Sequence, residues 1–150
     1  MKIIITEEQH KLIQDIDDGL ITYSSIFKPE IKILVIFKNN ENYENLITIF
    51  NEYGYGFYVP NQELIIINGE IFLNSNDLTM DDLRFIEAHE ISHLLLNHNG
   101  PRSEKDEMDA DIGAYILLTR HNISTERLVD EFEFRHNVKF DEKLTKNFDI

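Results

Sequence analysis

The 150-residue chain has no cysteine. Disulfides and thiolate ligands are therefore excluded, and any metal held by its side chains would rest on histidines and carboxylates. The same absence agrees with a cytoplasmic location. Long hydrophobic runs are also missing. The longest, such as Ile33 to Phe37 and Leu64 to Ile67, are far too short to cross a bilayer, so no membrane association is expected. The apolar start Met1-Lys2-Ile3-Ile4-Ile5 is cut off by Thr6-Glu7-Glu8 well before it reaches signal-peptide length, and export is not expected. Basic residues are scarce: 14 Lys and Arg face 28 Asp and Glu, for a formal net charge of -14 spread along the chain. Such a surface disfavours direct nucleic-acid binding and would steer a basic protein partner inward, although acidity of this kind also simply keeps a domain in solution. No repeat, low-complexity tract or Pro/Gly/Ser linker divides the sequence, so residues 1–150 read as one domain large enough to bury a core.

What is present changes character along the chain. A first helix is expected over about Glu7 to Ile16, capped by Thr6 and followed by Gly19. Ile31 to Phe37, rich in β-branched residues, reads as a strand, while Tyr43 to Phe50 fits either helix or strand. Phe57-Tyr58-Val59, the turn Pro60-Asn61-Gln62-Glu63 and Leu64 to Asn68 read as a hairpin. From Thr79 the pattern is helical to about Asn97, where Gly100-Pro101 should stop it. Ser103 with Asp106 predicts a capping box opening a helix to about Thr119, and a further helix begins near Ser124 with Leu128, Val129 and Phe132 on it. The last ten residues fit either a short helix or a frayed end. The expected fold class is α+β, with a small mixed or antiparallel sheet packed on the helix that follows it and on further C-terminal helices.

That helix carries the motif His89-Glu90-Ile91-Ser92-His93. Residues four apart on an α-helix differ by about 40° in azimuth, so both imidazoles leave one face and can share a tetrahedral ion. Glu90 lies about 100° from His89, at the edge of that face, where its carboxylate can reach water at the metal without ligating it, as a general base must. A catalytic zinc needs a third protein ligand, and the next helix offers Glu104, Asp106, Glu107, Asp109 and Asp111. If the stripe Ala110, Gly113, Ala114 and Leu117 packs on the motif helix, Asp106, Glu107 and Asp109 lie over or beside it and Asp111 points further away. Azimuth leaves the first three as contenders.

The stretch from about Gly54 to Leu118 resembles the ImmA/IrrE family of bacterial and phage zinc metallopeptidases, a zincin-like group. The likeness runs through Gly56-Phe57-Tyr58-Val59-Pro60, Leu64 to Asn68, Arg84 to His98, and Glu107-Met108-Asp109-Ala110-Asp111 with Ala114 and Leu117-Leu118. It implies a zincin-like fold, zinc on His89 and His93, Glu90 as catalytic base, and Asp109, the acid just before Ala110, as third ligand. Asp109 is a methylene shorter than the family's usual Glu, so the helices must approach more closely or Glu107 must take over. Thr119-Arg120 stands where the family often has Met-Pro. The implied activity is hydrolysis of a peptide bond in a specific protein, with a helix-turn-helix repressor of phage or mobile-element type as the substrate by analogy. A non-catalytic module of the same fold that sequesters a regulator is the alternative, but such a module has no chemical need for Glu90. A structural zinc would want a fourth ligand, for which His98 is the nearby candidate.

Other residues fit simpler roles. His98 suits a capping position at the end of the motif helix and His121 a surface position after the next, while His10 and His136 carry no signal. Tyr53 to Tyr58 reads as a tight turn leading into a half-buried strand, with a substrate groove as the other reading.

Overall fold

The computed structural model describes residues 18–54, 56–59, 62–71, 80–98 and 103–150. The expected first helix, Thr79 as a cap, Tyr55, the Pro60-Asn61 part of the hairpin turn and the Gly100-Pro101 stop lie outside the described residues. Backbone contacts divide the chain into two compact units, Met1–Leu83 and Arg84–Ile150. The described residues form a mixed α+β structure with a four-stranded mixed sheet.

In the first unit the strands are β1 (Leu20–Ser24), β2 (Lys32–Ile36), β3 (Gly56–Val59) and β4 (Leu64–Asn68), in the order β1-β2-β4-β3. β1 pairs antiparallel with β2 and β3 antiparallel with β4, while β2 and β4 run parallel, with Ile33 opposite Ile65 and Val35 opposite Ile67. Alternation sends Ile33, Val35, Ile65 and Ile67 to one face, where all are buried. On the other face Ile36 and Ile66 join Tyr43, Phe50 and Phe57 in a second apolar cluster.

α1 (Tyr43–Tyr53) resolves the ambiguous segment as helix. Tyr43 and Phe50, seven residues apart, share one face and are the helix's two buried residues, and the Tyr43 hydroxyl donates to Asn68 Oδ1 at 3.1 Å. The expected hairpin is present as β3 and β4, with Glu63 in its turn at a left-handed φ of 48°. β1 has no counterpart in the sequence reading: it is a half-exposed edge strand whose mixed composition gives little periodic signal. Gly19, before it, sits at φ 67°, where a side chain would run into Asn39.

The second unit contains most of α2 (Met80–Leu95), then α3 (Glu104–Arg120), α4 (Glu126–His136) and a short 3-10 turn at Glu142–Thr145. α2 ends earlier than the sequence pattern suggested, because Asn97 adopts φ 56° and closes a Schellman arrangement. The His98 N–H donates to the His93 carbonyl at 3.0 Å and the Asn97 N–H to Leu94 at 3.2 Å. α3 begins with the expected capping box: Ser103 Oγ accepts from the Asp106 N–H, and the Asp106 carboxylate from the Ser103 N–H. The small-residue stripe does bring α3 against α2. A Cβ on Gly113 would stand 2.7 Å from Ser92 Oγ and 2.5 Å from Ile150, so only glycine fits that crossing. Ile86, Ile91, Ile112, Leu117, Leu118, Leu128 and Phe132 are buried in this unit.

Candidate metal centre

Two turns of α2 and one of α3 supply the site. Among the described residues, His89, His93 and Glu107 each present one ligand atom within 4.8 Å of the others. The two imidazoles meet through Nε2, 3.1 Å apart. Glu107 spans them, with Oε2 at 3.1 Å from His89 Nε2 and Oε1 at 3.1 Å from His93 Nε2. Bonds of about 2.0–2.1 Å at tetrahedral angles put two nitrogen donors roughly 3.3 Å apart, so this set of two imidazole nitrogens and one carboxylate fits a metal ion in both spacing and donor type.

The far side of each ring is also held. His89 Nδ1–H donates to Asp111 Oδ1 at 2.7 Å, which leaves Nε2 as the atom turned toward the group. His93 Nδ1 lies 2.8 Å from His98 Nδ1, and His98 Nε2 lies 3.5 Å from Asp106 Oδ1. His98 therefore reaches His93 on the side opposite Nε2 and is not part of the ligand group. Its backbone N–H closes the end of α2, but its imidazole, expected to cap that helix, faces His93 and Asp106 instead.

Charge sets the protonation of this cluster. Burial pushes the His89 imidazole down, but hydrogen bonds to Asp111 and Glu107 outweigh it and raise the group to about 10. Burial pushes the Glu107 carboxyl up, but hydrogen bonds from His89 and His93 hold it well below the ordinary carboxylate range. For Asp111 burial is again opposed by His89, then by Arg135 and His136, and the carboxyl is lowered.

The chain matches no family model, no curated protein and no solved structure. The site rests on its own geometry.

The sequence-derived residues divide clearly. His89 and His93 converge, and Glu90 is buried beside them, its charge contributing to the raised basicity of His89. Asp109 is not brought into the group, contrary to what the resemblance implied. Two residues from Glu107 on an α-helix means about 200° of rotation, and Asp109 is turned to Lys105, with which it pairs at 2.7 Å. Asp106 is committed to the capping box. The stripe Ala110, Gly113, Ala114 and Leu117 is buried as expected, and the buried face of α3 extends beyond it to Asp111 and Leu118, with Glu107 half-buried at its margin. Asp111, expected to point away, is fully buried.

Two signals could have found this extended face. Glu107 and Asp111 share the i,i+4 spacing of His89 and His93, and Asp111 is a lone carboxylate in the otherwise apolar run Ala110 to Ala114. His136, buried against Phe132 with its Nε2 2.7 Å from Asp111, had no such signal. His121 is exposed just after α3, the surface position expected, and its Nδ1 donates to the Leu117 carbonyl at 2.9 Å.

Proposed function

We propose that the chain is a zinc metallopeptidase of the ImmA/IrrE kind, with His89, His93 and Glu107 as ligands and Glu90 as general base. The observation that carries this reading is the convergence of both motif imidazoles and a carboxylate from the next helix on one point. Three protein ligands leave a fourth position for water or substrate, the pattern of catalytic rather than structural zinc. His98 would have to supply the fourth ligand in a structural site, and it is engaged with the far nitrogen of His93.

When bound, zinc would lower the pKa of water toward neutrality and polarise a peptide carbonyl. Glu90 then takes a proton from the attacking water and delivers it to the departing amine, while the water oxygen ends in the new carboxylate. Asp111 and His98 hold the two imidazoles in the tautomer that presents Nε2. The acidic chain would draw a basic protein, and a DNA-binding regulator of the helix-turn-helix type has that surface.

The test is capture with Glu90→Gln, which should retain zinc, hold its partner uncut, and release a discrete fragment once wild-type protein is added. A chelator should abolish that fragment. Stable capture by both proteins with no product at any zinc level would instead make the chain a binding module.

A further inference from the structure

Asp111 is a fully buried carboxylate, and the groups that satisfy it come from two directions. Its Oδ1 accepts from His89 on α2. Its Oδ2 accepts from Arg135 Nη2 and from His136 Nε2, both at 2.7 Å and both on the last turn of α4. A buried carboxylate is costly unless its charge and lone pairs are met, and two of the three donors here lie 24 and 25 residues further along the chain. The Arg135 guanidinium also stands 6.0 Å from the centre of the Phe85 ring, one turn ahead of His89, and Phe85 meets the His89 ring edge-on at 6.3 Å. Arg135 thus touches the surroundings of His89 by two routes, through Asp111 and through Phe85.

Resting on the zinc reading above, we propose that Arg135 and His136 are positioning residues for the metal: by fixing Oδ2 of Asp111 they fix the direction of Oδ1, and so the orientation of His89. The C-terminal helix is then part of the metal site although it supplies no ligand. A carboxylate held at one oxygen only can turn about its Cβ–Cγ bond, and His89 would turn with it. Outer partners of ligand histidines commonly account for about 10- to 100-fold in metal affinity. A purely structural role, in which the two side chains only dock α4, predicts something different, because loosening α4 anywhere would then have the same effect.

The experiment measures zinc and cobalt(II) binding by competition with a chromophoric chelator, together with the visible spectrum of the cobalt form. Four proteins are compared: wild type, the double variant Arg135→Met/His136→Phe, the conservative Arg135→Lys, and Leu128→Ala, which opens a cavity under the buried face of α4 about two turns before His136. The double variant should weaken binding by about 10- to 100-fold and shift the cobalt bands. Arg135→Lys should recover most of the affinity, and Leu128→Ala should lower the melting temperature with binding and spectrum unchanged. Wild-type affinity in the double variant would overturn the proposal, as would an equal loss in Leu128→Ala. If the double variant does not fold, Arg135→Met and His136→Phe are read singly by the same measures, and unchanged affinity in both overturns it. Failure of the wild-type protein to bind either ion would remove the zinc reading itself, and the positioning role with it.

Discussion

The sheet region and the helical unit bury different chemistry. Over residues 18–71 the buried side chains are Ile31, Ile33, Val35, Ile36, Phe37, Tyr43, Phe50, Phe57, Ile65, Ile66 and Ile67, and the buried polar residues are neutral, Ser25 and Asn40. Over residues 84–150 the buried set includes Glu87, Glu90, His93, Asp111 and His136. Ionisable groups lose solvation when buried, and a fold built for stability alone does better with apolar residues in those places. Two of the carboxylates are met directly: Glu87 accepts from Arg84 at 2.8 Å, and Asp111 from His89, Arg135 and His136. The two regions are therefore stabilised by different means. The sheet gains from apolar burial, whereas the helical unit maintains a charged, ordered interior of the sort found at functional sites.

The sharpest way to break this comparison is to remove the ligands. His89→Ala and His93→Ala should each take bound zinc from about one per chain to near none by elemental analysis, and Glu107→Ala should do almost as much. Glu90→Gln should keep the zinc and lower peptide cleavage by about 10²- to 10⁴-fold. Full zinc content in both histidine variants would remove the centre from α2.

The complementary variant lies in the sheet. Ile65→Ala should cost about 2–5 kcal/mol in urea unfolding, because it leaves a cavity in a fully buried layer, with no change in zinc affinity of the folded protein. A parallel fall in affinity would mean that the two regions do not divide stability and function in this way.

Changing pH sharpens the comparison without mutation. His89 rises from 6.5 to about 10 on folding, so its contribution to the metal-free protein is complete below about 6.5 and is lost as pH climbs toward 10. Glu107 is lowered from 4.5, so its contribution is complete above that value and falls away in acid. The melting temperature of the metal-free protein should therefore be highest between about 4.5 and 6.5 as far as these two groups are concerned. Zinc must displace the His89 proton, so its apparent affinity should rise by up to about tenfold per pH unit until pH approaches 10. Binding that is flat across pH 6 to 9 would show that His89 holds no proton in the metal-free state.

Smaller effects belong to the surface of α3. Ser103→Ala removes a capping box and should cost about 1 kcal/mol in thermal or urea unfolding. Asp109→Ala breaks only an exposed pair with Lys105 and should change stability by no more than about 0.5 kcal/mol, leaving zinc binding near wild type. A large loss of zinc in Asp109→Ala would restore it as the third ligand in place of Glu107.

The sequence by itself determined the local features: the strands around Ile33 and Ile65, the hairpin, the capping box at Ser103, and two histidines sharing a helix face. These depend on contacts a few residues apart, on periods of two and 3.6, and on turn and cap chemistry that single residue types specify. Only the tertiary structure decided toward which margin the inward face of α3 extends, and so that Glu107 meets the histidines while Asp109 does not. A carboxylate counts against burial in any reading of hydrophobic pattern, and Asp111 becomes an inward residue only once Arg135 and His136 arrive from a helix two dozen positions away to satisfy it.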